Sequence, residues 1–567
     1  MKKINLIYCI LLFMPLMGMM SCADEDFLKE NPSTFYTVDN AFSTPSQVDQ
    51  VLLSAYSQLR DIWTAASGAN WMFVFRGNGT DMYDVPSIRR SSTFNNYGNI
   101  NPDNDNFYNI YSTFYQLIGK ANLAIYAAQL PNITWASATD KAYALAQARF
   151  FRAFAYRNLA ELFGGVPIVT EVTTTPRYDF KRATRVETYQ FAIDELLAIE
   201  NDLPLTTSVG GRLVRGAAQH NLCELYLAMG TQLAAEGKNT EAQAAFTQSI
   251  AYGNKVIDGG VFSLMTDRYG ARKTETQGNV YWDLFQENNV NYQDGNRECI
   301  WAMQIDYKAY KAGDGNSKLA YSRNYGPVFR DGSSGHLTGT LEDVGGRGIA
   351  IIIPTMYTRD SIYGSKWSTD MRNSDIVLRR IFNGNVKTDS YYGKPVPWSI
   401  LYNNDVNRSL CYPVSCKIAT DKYTGLADGE NMSNLFRDDY FIRLPETILL
   451  RAEAKQRSGD KPGAAADINL LRNRAQCAYQ VTAADMDDNF NLILDERARE
   501  LVYEECRWNT LLRMGGTIAV DRIKKYAYWP EAAATLTFNY NLWPIPQTVI
   551  DTNKDQKLEQ NDGWTKR

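Results

Sequence analysis

Apolar residues recur at helical spacing in a first block of the chain. Ala148, Phe151, Ala155, Leu159 and Leu162 fall on one face of a helix. The pair Gly164-Gly165 then predicts the end of that helix, and Val166-Pro167 predicts an extended exit. A second such face is formed by Ala218, Leu222, Leu225 and Met229. Residues 107–130, 185–201 and 240–257 also have a helical pattern.

The pattern of this block predicts that its helices pack in pairs. Segment 105–130 precedes a helix over 138–163, and segment 216–237 precedes a helix over 240–257. Paired helices of this length favour tetratricopeptide-like repeats, whose period is ~34 residues. The repeat is irregular, so a generic helical domain is the alternative. In either case each pair buries little alone, and stacking supplies the core.

A second helical block follows late in the chain. Its apolar positions predict two stripes, one formed by Ala464, Ile468, Leu471 and Ala475, the other by Leu494, Ala498, Leu501, Trp508 and Leu512. The charged run from Glu496 to Arg507 carries both signs at helical spacing. We interpret these charges as pairs on a helix face and not as acid–base catalysts.

The middle of the chain, residues 259–440, is different in character. It is rich in Gly, Asn, Asp, Ser and Tyr, and its apolar runs are short, as at 349–353. This composition predicts loops, short strands and few long helices. Segment 63–104 has the same composition. Loops on a rigid scaffold commonly carry binding sites, so both segments are candidates.

Composition and charge exclude several functions. The 567 residues are 45% apolar, which is ample for a core, and the net charge of −4 disfavours nucleic acid as a partner. The two histidines, His220 and His336, are too few for a Ser-His-Asp or Cys-His mechanism or for a His-rich metal site. We expect no cofactor and no metal. Cys411 and Cys416 are close enough to form a disulfide, with buried free thiols as the alternative.

The N-terminus has the pattern of an export signal. Lys2 and Lys3 precede an apolar stretch over 4–20, which is short for a membrane span of ~20 residues. Ser21 and Cys22 follow and resemble a bacterial lipobox, in which the cysteine is lipidated. The acidic run 24–26 resembles a surface-export signal. We predict a signal peptide over 1–21 and a lipid anchor at Cys22; an ordinary signal with a chance cysteine is the alternative.

The chain resembles the SusD/RagB family of outer-membrane nutrient-binding lipoproteins. The resemblance rests on motifs that occur in the family's order over nearly the whole chain. They are DFLKENP (26–32), ARFFRAFAY (148–156), FGGVP (163–167), GRLVRGAA (211–218), RLPETILLRAEA (443–454), INLLRNRA (468–475), ERAREL (496–501), LWPIP (542–546) and QNDGW (560–564).

The resemblance implies a mainly α fold with tetratricopeptide-like repeats and an irregular ligand-binding portion. It implies one SusD-like domain over 22–567, with helical parts at 22–258 and 441–567 around the irregular part 259–440. It also implies a partner, a SusC-like TonB-dependent transporter in the outer membrane, and no catalytic activity.

Aromatic and polar residues of the two irregular segments are the candidate ligand-binding groups. Sugar rings pack on aromatic planes, and their hydroxyls need polar partners. The candidates are Trp71, Arg76, Asp81, Tyr83, Tyr307, Tyr310, Tyr321 and Tyr325. The leading hypothesis is a surface lipoprotein that binds an oligosaccharide for a transporter. An oligopeptide ligand is the alternative within the family, and an anchored hydrolase is the alternative outside it.

Overall fold

A computed structural model describes residues 40–90, 94, 96–338, 346–425, 433–536 and 541–564. The predicted signal peptide and Cys22 lie outside these residues. No helix in the described ranges is both long enough and apolar enough to cross a bilayer.

Long helices dominate the first part of the described chain. They are α1 (Pro45–Thr64), α2 (Asn70–Arg76), α3 (Asp105–Gln129), α4 (Ala138–Phe163), α5 (Arg185–Leu197), α6 (Arg215–Ala235) and α7 (Asn239–Ile257). Helix α3 packs against α4, and α6 packs against α7, which confirms both predicted pairs. The apolar face of α4, from Ala148 to Leu162, is fully buried in the main core. The mainly α, repeat-like fold class is therefore confirmed.

Local chemistry fixes both ends of α4. At its start, the Ser137 hydroxyl accepts a hydrogen bond from the Asp140 N–H at 3.1 Å. At its end, Gly164 adopts a φ of 77°, a conformation that favours glycine. A Cβ at Gly165 would lie 1.9 Å from the Ala183 carbonyl oxygen. The two glycines therefore end the helix where the sequence predicts and allow the chain to return close by.

The middle region has only short elements in its described residues, as predicted. Its α-helices are α8 (Val280–Asp283), α9 (Tyr307–Lys311), α10 (Tyr321–Tyr325), α11 (Phe329–Gly332), α12 (Trp398–Leu401) and α13 (Asp405–Leu410). The strands of the described chain are β1 (Tyr83–Asp84), β2 (Cys299–Met303), β3 (Ile353–Pro354), β4 (Leu378–Arg379), β5 (Val414–Ser415) and β6 (Asp439–Arg443). They form three antiparallel pairs, β1 with β3, β2 with β6 and β4 with β5.

Helices return in the last part of the chain. They are α14 (Leu444–Arg457), α15 (Lys461–Arg474), α16 (Asn491–Glu500), α17 (Arg507–Met514), α18 (Ile518–Tyr526), α19 (Pro530–Ala533) and α20 (Gln547–Thr552). Helix α14 packs against both α15 and α7, so the last block continues the first.

The predicted stripe from Leu494 to Leu512 is wrong as a continuous helix. The chain leaves the helix after α16 and starts again at α17, and Tyr503 between them has a φ of 64°. This break leaves backbone N–H and C=O groups without helical partners. Side chains from other segments form hydrogen bonds with them. Arg76 donates to the carbonyl oxygens of Tyr503 and Glu504 at 2.5 and 2.8 Å. The Tyr503 N–H donates to the Tyr83 hydroxyl at 2.6 Å.

The charged run around α16 is also placed differently from the prediction. Most of its side chains are buried, and many of their partners lie on other elements. Glu496, for example, pairs with Arg372 at 2.8 Å and with Arg472 at 3.0 Å. Burial alone would raise the pKa of Glu496, but these guanidinium groups outweigh burial and lower this pKa to about 2. The run is therefore a buried network that joins several elements and not a set of pairs on one helix face.

The C-terminal segment binds back to the first helix pair. The backbone N–H of Trp543 donates to the Leu162 carbonyl oxygen at 2.7 Å. The Asn561 side-chain amide donates to the Phe163 carbonyl oxygen at 2.9 Å. These two bonds close the fold, because they join the end of the described chain to the end of α4.

The six cysteines of the described chain are free thiols. Cys411 and Cys416 are both buried, so the structure has the free-thiol alternative and not the disulfide. Burial raises the pKa of each of these two thiols to about 12.

Candidate functional site

The β2–β6 pair anchors the irregular middle to the helices. Trp301 on β2 stacks on Phe441 of β6, with ring centroids 4.2 Å apart. The same indole meets the edges of Phe150 and Phe154 of α4 at 5.4 and 5.8 Å. The chain that leaves β2 toward residue 305 therefore starts from a fixed point in the main core.

Two tyrosines lie side by side on the short helix that follows. The Asp306 carboxylate caps α9 and accepts a hydrogen bond from the Lys308 N–H at 2.7 Å. The i, i+3 spacing of Tyr307 and Tyr310 places both rings on one side of this helix. Their centroids are 6.4 Å apart and their planes differ by 21°. Both side chains are partly exposed, and we call this pair the tyrosine platform.

A buried ring supports the platform from below. Phe436 lies 4.7 Å from the Tyr307 ring and 4.9 Å from the Tyr310 ring. Its position is fixed by the neighbouring residue, since Leu435 exchanges two backbone hydrogen bonds of 2.8 Å with Leu319. The platform is therefore held by packing before any ligand arrives.

Polar groups lie on segments next to the platform. Asp314 pairs with Arg60 at 3.1 Å, and Asn316 donates to Asp61 at 3.0 Å. The Lys318 ammonium group lies 5.7 Å from the centre of the Tyr310 ring. These side chains combine donors and acceptors with a flat aromatic face. The arrangement suits a ligand that has both a ring face and hydroxyl groups.

Trp71 is the third partly exposed aromatic residue among the predicted ligand-binding groups. It lies on α2 and packs against the main core and against a second cluster of buried residues, which includes Phe73, Tyr325 and Phe436. The two tyrosines also pack against this second cluster. Within the described residues, its ring pairs with neither tyrosine ring. The structure thus brings Tyr307 and Tyr310 together and places Trp71 separately.

The other five predicted residues are buried and have internal partners. Arg76 and Tyr83 hold the break between α16 and α17, as described above. The Tyr321 hydroxyl donates to the Trp63 carbonyl oxygen at 3.2 Å. The ring of Tyr325 packs against Tyr503 at 5.3 Å. In this structure, the side chains of Arg76, Tyr83, Tyr321 and Tyr325 are buried and pack within the interior.

Asp81 is the most strongly paired of these five. Arg507 and Arg522 both bind its carboxylate, at 2.7 and 2.9 Å. Burial alone would raise the pKa of Asp81, but the two guanidinium groups outweigh burial and lower this pKa to about 2. Its carboxylate is fully buried, so it cannot reach a ligand hydroxyl in this conformation.

Sequence reasoning missed Phe436, Asp314 and Asn316. Leu435-Phe436 is an apolar pair in a polar stretch, which is a weak signal for a buried anchor. The spacing of Asp314 and Asn316 does not predict their contacts with Arg60 and Asp61 of α1, because these partners lie far away in the sequence.

The fold and the platform define a class of protein, a helical-repeat scaffold that carries an aromatic surface on its irregular part. Comparison with known proteins places the chain within this class. The family model described as "SusD family" matches residues 259–564, and a second model, "Starch-binding associating with outer membrane", matches residues 26–227. The chain belongs to the SusD family.

Individual relatives agree with this assignment. The chain is 24% identical to "SusD-like protein P2" of Formosa agariphila over 526 residues, which is 91% of each chain. It is similar in structure to a SusD homolog from Bacteroides thetaiotaomicron, with a TM-score of 0.69, 17% identity and coverage of 93% of this chain and 98% of that one.

A third relative was solved with a ligand. It is surface glycan-binding protein A from Bacteroides thetaiotaomicron in complex with laminarihexaose. The TM-score is 0.61 at 18% identity, and the match covers 91% of this chain and 99% of that one. At this identity the likeness shows a shared fold.

Proposed function

We propose that this protein binds an oligosaccharide at the tyrosine platform. The observation that carries the proposal is the pair of partly exposed, nearly parallel rings of Tyr307 and Tyr310 above the buried Phe436. A pyranose ring presents C–H groups on its faces, and these pack on aromatic planes, while Asp314 and Asn316 offer partners to hydroxyls. The glycan ligand of a structurally similar protein supports this choice.

The platform offers two partly exposed rings, and their number sets the expected affinity. Aromatic stacking contributes about 1 kcal/mol per ring beyond area burial. With two rings and a few polar contacts, dissociation constants on the order of micromolar to millimolar are expected. Such weak binding suits a protein that passes its ligand on.

Delivery to a transporter is the second part of the proposal. The lipobox-like segment supports a lipid anchor at Cys22, and the family supports a SusC-like TonB-dependent barrel as the partner. We infer that the protein lies at the outer surface of the outer membrane, captures the glycan and hands it to the barrel without chemical change.

Calorimetry with a panel of glycans and peptides tests the ligand and the site. Tyr310→Ala and Tyr307→Ala are expected to weaken glycan binding at least tenfold without unfolding the protein, because both rings are partly exposed and lie outside the main core. Trp71→Ala tests whether the separate indole contributes. The matched control is Tyr392→Ala, which removes another exposed tyrosine of the irregular middle.

Each contrary result removes a defined part of the proposal. If the tyrosine variants bind as tightly as the parent, the platform is not the site. If only peptides bind, the ligand class is wrong. If chromatography shows that any panel member is cleaved, the protein is a hydrolase.

Separate measurements test the anchor and the partner. Cys22→Ala should leave the protein soluble or unprocessed, and normal surface display of this variant would exclude the lipid anchor. Extraction in mild detergent should recover the protein with a SusC-like barrel. Recovery without a barrel that is expressed in the same cells would exclude this partnership.

A further inference from the structure

A second cleft lies on the helical part of the molecule, in elements that do not include the tyrosine platform. It is a groove of about 560 Å³ between α3, the extended chain over 167–180 and helix α20. Tyr111 and Tyr115 of α3 line it, with stacked rings 4.9 Å apart, and the more exposed ring of Tyr108 lies one turn before them. The volume is in the range of small-molecule sites, about 300–1,000 Å³.

Gly119, an exposed glycine in the middle of α3, forms part of the floor of this groove. Gly119 lines the groove, and a Cβ built there would meet no atom within 4 Å. Glycine inside a helix costs roughly 0.5–1 kcal/mol relative to alanine. No residue in the described chain packs so closely against Gly119 that a glycine is required there.

Other glycines inside long helices show the contrast. A Cβ at Gly216 would lie 2.4 Å from Phe262, and one at Gly230 would lie 2.6 Å from Phe246. A Cβ at Gly253 would lie 3.1 Å from Arg451. Close packing explains these three glycines. The space above Gly119 belongs to the groove instead.

Both ends of the extended wall are held in place by asparagine side chains. The Asn122 amide donates to the carbonyl oxygens of Val169 and Glu171, each at 3.1 Å. Asn553 accepts from the Phe180 N–H at 2.9 Å and donates to the Phe180 carbonyl oxygen at 2.8 Å. The extended wall is therefore tied to α3 at one end and to the C-terminal segment at the other.

The lining indicates the kind of ligand. The interior is formed mainly by aromatic and branched aliphatic side chains, including Ile118, Val169, Val549 and Leu558. This surface suits a flat apolar body, and Thr173, Thr548 and Thr552 are among its fewer polar residues.

The rim adds a negative charge. The exposed Glu171 carboxylate has no hydrogen bond or ion pair with any other residue that the structure describes. Arg177 on the same rim is paired with Asp179 at 3.0 Å, and the pKa of Arg177 is raised mainly by Asp179 and to a lesser extent by Glu171. The unpaired carboxylate favours a cation at this end of the groove.

We propose that this groove binds a small amphipathic molecule with an aromatic body and a cationic end, the body lying over Gly119 and the cation facing Glu171. This site is independent of glycan binding at the tyrosine platform. Tyr310→Ala should therefore leave it unchanged, so failure of one proposal does not decide the other.

Saturation-transfer NMR on the full chain tests the site with two probes of the same ring and opposite charge, tryptamine and indole-3-propionate. Tryptamine should bind with a dissociation constant on the order of millimolar, as expected for a ligand of its size at about 0.3 kcal/mol per heavy atom. Gly119→Leu should fill the groove and weaken tryptamine binding at least tenfold. The matched control is Gln116→Leu, which adds the same side chain at an exposed position of α3 outside the groove.

Glu171→Gln tests the charge at the rim. The preference for tryptamine over indole-3-propionate should fall several-fold, toward equal binding. Gly119→Ala serves as a second floor variant, and melting curves should show that it and Gly119→Leu remain folded, because both favour the helix.

Four results would overturn the proposal. They are failure of the parent to bind tryptamine, equal binding by Gly119→Leu and the parent, an unchanged probe preference in Glu171→Gln, and binding only by a chain that lacks residues 1–39. The last result would assign the groove to the chain's own N-terminal segment.

Discussion

The stacked helices and the junction around α16 and α17 both have buried side chains, but different chemistry holds each of them together. Between α6 and α7 most of the buried side chains are apolar, as with Leu222, Leu225 and Phe246, and polar ones such as Ser249 are fewer. At the junction they are charged. Arg443 alone lies 2.8 Å from each of three carboxylates, those of Glu298, Glu500 and Glu504.

This difference follows from whether the backbone of each region satisfies its own hydrogen-bonding groups. A helix satisfies its own N–H and C=O groups, so apolar side chains suffice to pack it. The chain between α16 and α17 and the loops of the middle region cannot do so. Buried donors such as Arg76 and Lys417 bond to the carbonyl oxygens of the junction instead. Charged side chains, which form directional hydrogen bonds, thus fix the shape of the irregular part.

The largest expected effect comes from removing a cation of the junction. Arg443→Met should lower the free energy of unfolding by about 3–5 kcal/mol, because three buried carboxylates lose a partner. Urea titration followed by circular dichroism measures this loss. Arg177→Met, at an exposed ion pair, is the control and should change stability by less than about 1 kcal/mol. A stable Arg443→Met protein would show that the network is dispensable.

A pair of conservative substitutions sharpens the comparison between the regions. Leu222→Met should cost less than about 1.5 kcal/mol, since apolar packing tolerates a change of shape at similar volume. Arg443→Lys should cost more than about 2 kcal/mol, because an ammonium group cannot reproduce the planar set of guanidinium donors. If both substitutions lower the free energy of unfolding by the same amount in the same titration, the junction does not depend on the direction of its charged hydrogen bonds.

The pH dependence of stability should separate the regions further. The pKa of Asp81 is about 2 in the folded protein, below its ordinary value, so its contribution is present above about pH 4 and is lost as the pH falls toward 2. Asp81→Asn should cost about 2 kcal/mol at pH 7, and the difference from the parent should shrink between pH 5 and pH 2. A difference that stays constant over this range would exclude the ion pairs as its cause.

The smallest effect is expected at a helix end in the repeat region. Ser137→Ala removes the cap of α4 and should lower the free energy of unfolding by about 1 kcal/mol. Ser137→Thr keeps the capping oxygen and serves as the control. If both variants unfold at the same urea concentration as the parent, the cap does not contribute.

Much of the helical fold could be predicted from the sequence because its signals are local. The apolar face of α4 and the Gly164-Gly165 stop lie within one stretch of chain, and both are confirmed. The break between α16 and α17 could not be predicted in this way. It depends on Arg76 and Tyr83, which are more than 400 positions away, so the local periodicity continues through it.

The candidate site is harder to predict from the sequence for a related reason. Aromatic and polar residues in loops have the same composition whether they face a ligand or the interior. Tyr307 and Tyr310 stay partly exposed, whereas Tyr321 and Tyr325, a few residues later, are buried against α1 and the junction. Only the long-range contacts distinguish these two pairs.

The hydrogen bonds from Trp543 and Asn561 to the end of α4 also determine when folding can be completed during synthesis. The first helix pair emerges early during synthesis, yet its last turn receives two of its hydrogen-bond donors from residues made almost 400 positions later. The fold can therefore be completed only when the whole chain is available. A protein with this dependence keeps the end of its first helix pair incomplete until the C-terminal segment has been made.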